Sequence, residues 1–238
     1  NHLVGAHDLA LGVNYARASV EGGNYRNLSG QRNGLNDYVD NRAESVEAYL
    51  MDRWRASDRL TFVAGAQFVS TARDVRTTNA GSGSLSNPKR DYNSFNPRAG
   101  VIAALTPSAE AYGNVSRLFE APTTFEMEDD AQGGSATLDP MSGTVAEVGL
   151  RSIAGGSGDT TWQWDVAAYY ALINDEILSI DDPAAPGNSL TTNVDETVHA
   201  GIEALGSVSF LVGERHRIDP QVSLTLNKFN FADDPTYA

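Results

Sequence analysis

The fold class this sequence predicts is all-β: a section of an up-and-down antiparallel transmembrane β-barrel. Three observations carry the prediction. Apolar residues recur at a period of two, not 3.6, in one stretch after another. Several of these stretches are about ten residues or longer, beyond the five or six usual in soluble domains. Long and short connections alternate strictly between them, which in an up-and-down sheet gathers the long loops at one end and the tight turns at the other. A soluble β-sandwich predicts neither feature. A transmembrane barrel predicts both, with apolar residues toward lipid and polar residues toward the lumen.

The elements follow in chain order. In "HDLALGVNYARAS", Leu9, Leu11, Val13 and Tyr15 share one face, and Ala10, Gly12, Asn14 and Ala16 the other. "SVEAYLMDRW" sets Val46, Ala48 and Leu50 against Glu47, Tyr49 and Met51. "RLTFVAGAQFVS" sets Leu60, Phe62, Ala64, Ala66 and Phe68 against Thr61, Val63, Gly65 and Gln67. "RAGVIAAL" and "SAEAYGNVS" come next, and in "SGTVAEVGLRS" Glu147 and Arg151 lie opposite Val148 and Leu150. The longest stretch is "TTWQWDVAAYYALINDEILSI". As a helix it would scatter Trp162 and Trp164 over different faces. As a strand it places Trp162, Trp164, Val166, Ala168, Tyr170 and Leu172 together, with Asp165 among the opposing residues. "ETVHAGIEALGSVSF" opposes Val198, Ala200 and Ile202 to His199, Gly201 and Glu203, and "QVSLTLN" opposes Val222, Leu224 and Leu226 to Ser223, Thr225 and Asn227. Nine strands are predicted, and no amphipathic helix.

Long polar loops are predicted at "VEGGNYRNLSGQRNGLNDYVDNRAE", "ARDVRTTNAGSGSLSNPKRDYNSFNP", "FEAPTTFEMEDDAQGGSATLDP" and "DDPAAPGNSLTTNVD". Short turns fall at "ASDR", "TPS", "AGGSGD" and "VGER". The odd strand count and the polar ending "ADDPTYA" point to a section of a larger barrel, since single-chain bacterial barrels have even strand numbers. A small self-contained barrel of eight to twelve strands is the other reading of the same pattern.

Composition excludes several function classes. The chain has 238 residues and no cysteine, which removes disulfides and thiolate zinc sites. His2, His7, His199 and His216 are too widely spaced for a helical ligand pair. A net charge of −14 argues against nucleic-acid binding. No apolar run is long enough for a transmembrane helix, and "NHLVGAHDLA" has no signal-peptide pattern.

Five segments, in order, resemble the TonB-dependent outer-membrane receptors over roughly Arg42 to Leu205. "AYLMDRWRASDRLTFVAGAQF" is similar to the family's Tyr-x-x-Asp-x-Trp strand, the turn after it and the next strand. "FNPRAGVIAALTPSAEAYGNVSRLFEAPTTFE" resembles the Pro-Arg-x-Gly strand and the Ser-x-x-Phe-x-Ala-Pro loop start. "LDPMSGTVAEVGLR" resembles a segment in which the family usually has glutamate where Met141 stands. "WQWDVAAYYALINDEILSI" and "TTNVDETVHAGIEA" complete the series, and their wording is most similar to ferric-siderophore receptors of the ferric-citrate-like subgroup.

The resemblance implies an active-transport receptor of the bacterial outer membrane: a 22-stranded barrel around a plug, with extracellular loops forming the ligand site. It would import a scarce nutrient, a ferric siderophore above all, with energy from the TonB-ExbB-ExbD complex acting on the plug. Outer-membrane lipid and lipopolysaccharide would surround it. No plug or coupling box is recognisable in this chain, so the segment alone is not expected to transport. No cofactor is implied.

Candidate ligand-loop residues are Tyr25, Arg26, Arg73, Arg76, Arg90 and Tyr92, with Lys89 beside them. Arginine and tyrosine could hold an anionic ferric chelate through charge-assisted hydrogen bonds and aromatic contact. Loops are polar in any case, which is the plainer account of the same residues. Glu147, Arg151, Asp165 and Glu203 are read as lumenal wall, where charges are solvated or paired by default. Trp54, Trp162 and Trp164 are read as interface anchors, His199 as a satisfied lumen residue, and "EMEDD" as a solvated acidic loop that divalent cations could bridge to lipopolysaccharide, lacking calcium-loop spacing. A passive porin would share the strand grammar without the ordered motifs. An enzyme is not expected, as no Gly-x-Ser-x-Gly element is present.

Overall fold

Every period-two segment is a strand in the computed structural model, which describes residues 2–130, 138–152, 155–157, 159–182, 189–213 and 215–232. The elements are β1 (His2–Val4), β2 (His7–Leu28), β3 (Gln31–Ser57), β4 (Leu60–Asn79), β5 (Leu85–Ser86), β6 (Lys89–Thr106), β7 (Ala109–Glu120), α1 (Thr124–Glu128), β8 (Met141–Ser152), β9 (Gly155–Ser157), β10 (Thr160–Asp181), β11 (Ser189–Val212), β12 (His216–Ile218) and β13 (Gln221–Phe231). One antiparallel sheet runs β1-β2-β3-β4-β6-β7-β8-β10-β11, with β5 added to β4, β9 to β10, and β12 and β13 both to β11. β12 and β13 are two parts of one strand, and between them Val208 N donates to Pro220 O. Nine long strands therefore stand in sequence order, with β1 as a short tenth at the edge. Among the described residues no pairing joins the two edges, so the sheet is an open section. The polar ending, residues 233–238, lies outside the described residues.

The strands run much further than the alternation indicates. β2 and β3 have 22 and 27 residues and continue the ladder through the first expected loop to a two-residue turn. Ser29 (φ 51°) and Gly30 (φ 83°) form that turn, both in the left-handed region that a tight hairpin of this hand requires. At about 3.4 Å per residue β2 spans roughly 75 Å, against an apolar band of about 25 Å in such barrels. The ladder is main-chain bonding and tolerates polar side chains on both faces, so nothing in their composition ends it.

The two faces differ as their residues predict. On the outer face Leu11, Val13, Leu50, Phe68, Phe95, Val148, Tyr170 and Ile202 stand exposed, Leu11 to 76%. Each such side chain moved from water to lipid gains roughly 1.5–3 kcal/mol, so a lipid solvent is the physical requirement of this surface. At the turn end His7 stacks on Trp54 at 5.9 Å and Trp54 meets Phe62 at 5.6 Å, an aromatic edge to the apolar band.

On the inner, polar face three tyrosines lie directly opposite a glycine of the next strand: Tyr49 with Gly12, Tyr112 with Gly149, Tyr169 with Gly201. A Cβ added at those glycines would sit 2.4, 2.4 and 2.7 Å from the tyrosine ring atoms, so each ring occupies the space its glycine leaves.

Toward the loop end the β6–β7 pairing stops at Arg98, beside Pro97, which has no N–H to extend a ladder. Residues 89–97 of β6 pair only with β4. Residues 121–130 and 138–140, between β7 and β8, lie in the opening, and the small buried core sits there: Val39, Val75, Tyr92, Met127, Leu138 and Val194.

Candidate functional site

Of the β7–β8 connection the structure describes residues 121–130 and 138–140, which form a strap on the inner face at the loop end of the sheet; the rest of this expected loop lies outside the described residues. The helical turn α1 is a departure from the all-strand expectation and has a local cause in "TTFE". Thr123 accepts from Glu126 N through its side chain at 3.2 Å, and Thr123 N donates to the Glu126 carboxylate at 2.7 Å, a complete capping box. One face of the turn is then buried through Thr124 and Met127, while Phe125 faces outward at 59% exposure.

Both sides of the opening hold the strap. On the β4–β6 side, Arg73 Nε donates to Pro122 O at 2.9 Å. Tyr92 donates its hydroxyl proton to Leu138 O at 3.1 Å, and Arg90 meets Asp139 at 2.6 Å. From β3, the buried Asn41 amide donates to the Glu128 carboxylate. On the β11 side, Thr191 N donates to Asp129 O at 2.7 Å. The Asn193 amide works as a clamp: it donates to Asp139 O (2.9 Å) and Asp175 O (2.8 Å), and accepts from Asp139 N (2.8 Å). Side-chain amides that satisfy backbone groups in this way substitute for the ladder that the strap lacks.

Burial sets the electrostatics of the contact. It lowers the Arg73 guanidinium from its usual value, against the opposing pull of Tyr92 and Glu126. It raises the Tyr92 phenol, opposed by Arg90 and Arg73, so Tyr92 stays a neutral donor. Glu128 is raised by burial, partly offset by the Asn41 hydrogen bond. Asp175 is raised by burial first and then by Asp139 and Asp195.

The residues singled out from sequence fall into separate places. Arg73, Arg90 and Tyr92 come together, with their polar groups engaged by the strap and Tyr92 buried at 3% exposure. Tyr25 and Arg26 lie near the β2–β3 hairpin tip; Arg32 stacks over the Tyr25 ring at 3.3 Å and Arg26 Nε donates to Asn36 at 2.9 Å. Arg76 is exposed beside Asp40 in register, and its backbone N–H donates to Asn41. Lys89 pairs with Asp74 at 2.6 Å.

Lower down, Glu147, Arg151, Asp165 and Glu203 share the inner face. Arg151 pairs with Glu110 at 2.6 Å and lies 5.0 Å from the Tyr112 ring. Tyr112 donates to Asp165 at 3.1 Å, and Asn114 to Glu147 at 3.3 Å. His199 Nε2 is 3.1 Å from Glu176, and its ring meets Phe229 at 4.4 Å.

Asn41, Asn193 and Leu138 organise the site without having been singled out from sequence, and Met127 and Glu128, read only as part of a solvated acidic loop, instead pack into the core and take the Asn41 amide. The one available signal was the Thr-x-x-Glu spacing at Thr123 and Glu126; the asparagines act across 87 and 54 residues of chain, which no local pattern reports. Glu126 and Glu128 of "EMEDD" serve the helix cap and the Asn41 contact.

The profile described as "TonB dependent receptor-like, beta-barrel" matches residues 1–238. Among solved structures the chain is similar to the copper transporter OprC, with 16% identity and a TM-score of 0.68 over 95% of this chain and 36% of that one. It is likewise similar to the ferric citrate transporter FecA in its unliganded form, with 18% identity, a TM-score of 0.66, and coverage of 96% and 34%. The ferric yersiniabactin uptake receptor FyuA from Yersinia pestis gives 15%, 0.64, and coverage of 97% and 34%. At such identities the likeness is one of fold, and the chain spans about a third of the length of each receptor.

Proposed function

The chain belongs to the TonB-dependent receptor β-barrel family, a family of outer-membrane transport receptors and not of enzymes, and from that premise we propose that it forms part of the barrel wall and extracellular mouth of a receptor importing a ferric siderophore. The observation that carries the reading is the strap: a buried, multiply anchored segment on the inner face at the loop end, where cargo would enter. The structurally similar proteins are a copper transporter, a ferric citrate transporter and a ferric yersiniabactin uptake receptor, which supports a metal or metal-chelate cargo for this one.

In this reading Arg73, Arg90 and Tyr92 hold the strap in place, and the cargo meets what the strap and hairpin present: Phe125, Tyr25 with Arg32 on its ring, and Arg26. Energy for release would come from the TonB complex acting on a plug inside the complete barrel. Uptake of radioactive iron by a receptor-deficient strain expressing the full-length receptor tests the proposal, with citrate, catecholate and hydroxamate chelates compared against copper and cobalamin. Accumulation of iron from one chelate class supports it; uptake of copper or cobalamin alone would refute the siderophore assignment.

A further inference from the structure

Residues 24–36, the outermost part of the β2–β3 hairpin, carry Arg26 and Arg32 and no acidic residue, in a chain of net charge −14. The same tip holds the sequence's one Asn-Gly pair, Asn33–Gly34. Residues 31–36 share a ladder with β2 alone, since the β3–β4 ladder starts at Asp37. Within that ladder the register shifts: Tyr25 stands opposite Leu35 and Arg26 opposite Asn33, so Gly34 has no partner. Gly34 has φ 62°, a left-handed conformation that glycine adopts without steric cost. A Cβ placed there would meet nothing within 4 Å.

Four other asparagines of the upper wall have engaged side chains. Asn27 accepts from Gly30 N at 2.9 Å and Asn36 from Arg26 Nε at 2.9 Å, while Asn41 donates to Glu128 and Asn79 to Asp37 at 3.1 Å. The exposed Asn33 amide has no hydrogen-bond partner among the described residues. Three requirements of one reaction therefore meet at this tip. A side-chain amide is free to turn, the next residue has no side chain to screen its nitrogen, and few contacts hold the segment against local opening.

We propose that Asn33 is a site of spontaneous deamidation, which sets a carboxylate into the basic tip of the hairpin. The Gly34 nitrogen attacks Asn33 Cγ and gives its proton to solvent. The bond from Cγ to the side-chain nitrogen breaks, ammonia leaves, and a cyclic imide closes. Water then opens the ring: cleavage at Cγ yields aspartate, and cleavage at the main-chain carbonyl yields isoaspartate. The balance is amide plus water to carboxylic acid plus ammonia, with no oxidant, reductant or cofactor. Aspartate keeps the ladder and faces Arg26 directly across it, where opposite charges attract. Isoaspartate lengthens the main chain of β3 by one carbon and breaks the register at Arg26. Either product offsets one of the two arginines. Resting on the reading that this tip meets an anionic chelate, the modified receptor would hold such cargo more weakly, so that capture declines with the age of the protein at the cell surface.

The test ages the full-length receptor in mildly alkaline detergent solution and follows each asparagine by peptide mass spectrometry, with electron-transfer fragmentation to separate isoaspartate from aspartate. Asn33 is expected to convert at least about tenfold faster than Asn93, which is exposed but paired with Ser70 and followed by Ser94. Gly34→Asp puts a side chain beside the attacking nitrogen while keeping a residue that tolerates the left-handed region, and should slow the conversion by a similar factor. Conversion of Asn33 no faster than that of Asn93, or an unchanged rate in Gly34→Asp, would overturn the proposal. If heat-modified gel mobility shows that Gly34→Asp has not folded, the comparison within the wild type decides. Binding of ferric citrate, catecholate and hydroxamate chelates reads the consequence separately. Asn33→Asp, which carries the product charge, should bind the anionic chelate about two- to fivefold more weakly than Asn33→Gln, and equal affinity refutes the effect on cargo. Binding of none of these chelates refutes the cargo assignment instead, and the mass-spectrometric rates still decide the site.

Discussion

Leu138→Ala is the most direct test of the strap. Leu138 is 1% exposed, its carbonyl accepts from Tyr92, and its side chain belongs to the small core with Val75 and Met127. Truncating a buried leucine costs 2–5 kcal/mol where the site collapses poorly, and about 3 kcal/mol suits a core with the sheet on one side and a single layer of strap on the other. At 1.4 kcal/mol per factor of ten, the strap should open roughly a hundredfold more often. The barrel ladders do not depend on this contact and should be unaffected. Hydrogen exchange on the full-length receptor reads both quantities. The helical amides of Met127 and Asp129, bonded to Thr123 O and Phe125 O, should lose about two decades of protection while β8 and β10 keep theirs. Unchanged protection at Met127 and Asp129 would show that the strap is held by something other than this core. Loss throughout the sheet would show that it is not a separate unit.

Three further outcomes are expected. Tyr92→Phe removes only the hydroxyl, which donates to Leu138 O at 3.1 Å and also meets Met127 Sδ at 3.8 Å, and should weaken the strap by about 1 kcal/mol; an effect as large as that of Leu138→Ala would contradict the division between packing and hydrogen bonding. Gly149→Ala should displace the Tyr112 ring and break its bond to Asp165, lowering stability by about 1–2 kcal/mol in urea unfolding. In a Tyr112→Ala background the same change should cost little, so strict additivity would count against the ring-over-glycine account. Burial holds the Glu128 carboxyl above its ordinary value in the docked strap, so docking is strongest below the unperturbed glutamate pKa of about 4.3 and weakens as pH rises through the raised folded value. Exchange measured across that range should show the trend, and Glu128→Gln, which still accepts from Asn41, should abolish it; a persistent trend would place the titration elsewhere.

The sheet was legible because lipid imposes parity. Trp162, Trp164, Val166 and Tyr170 must share a face, and that fixes the direction of Asp165 and every other odd-numbered residue up to the irregularity at Asp175, which has φ 56°. Beyond the apolar band no such constraint operates. Residues 20–44 carry polar groups on both faces, so a continuing ladder and a loop have the same composition. The candidate ligand residues show the same limit in the site. Arg73, Arg90 and Tyr92 have the chemistry that would hold a chelate, but identical chemistry serves a carbonyl of Pro122, a carboxylate of Asp139 and a carbonyl of Leu138. Which partner takes them depends on contacts some 50 residues away in the chain, and residue type is silent on that.

The strap also has a mechanical meaning. It is fastened to β4 and β6 on one side and to β11 on the other, Asp139 being held from both, with β7, β8 and β10 between them. In a curved wall such a fastening is a chord under an arc, and a chord of fixed length sets the radius. The periplasmic rim has no equivalent brace among the described residues and takes its curvature from strand twist alone. The receptor should therefore be stiff where cargo arrives and compliant where it leaves. Spin labels placed on β4 and β11 should report a narrow distance distribution at the mouth and a broader one at the rim, and equal widths would mean that the strap bears no load.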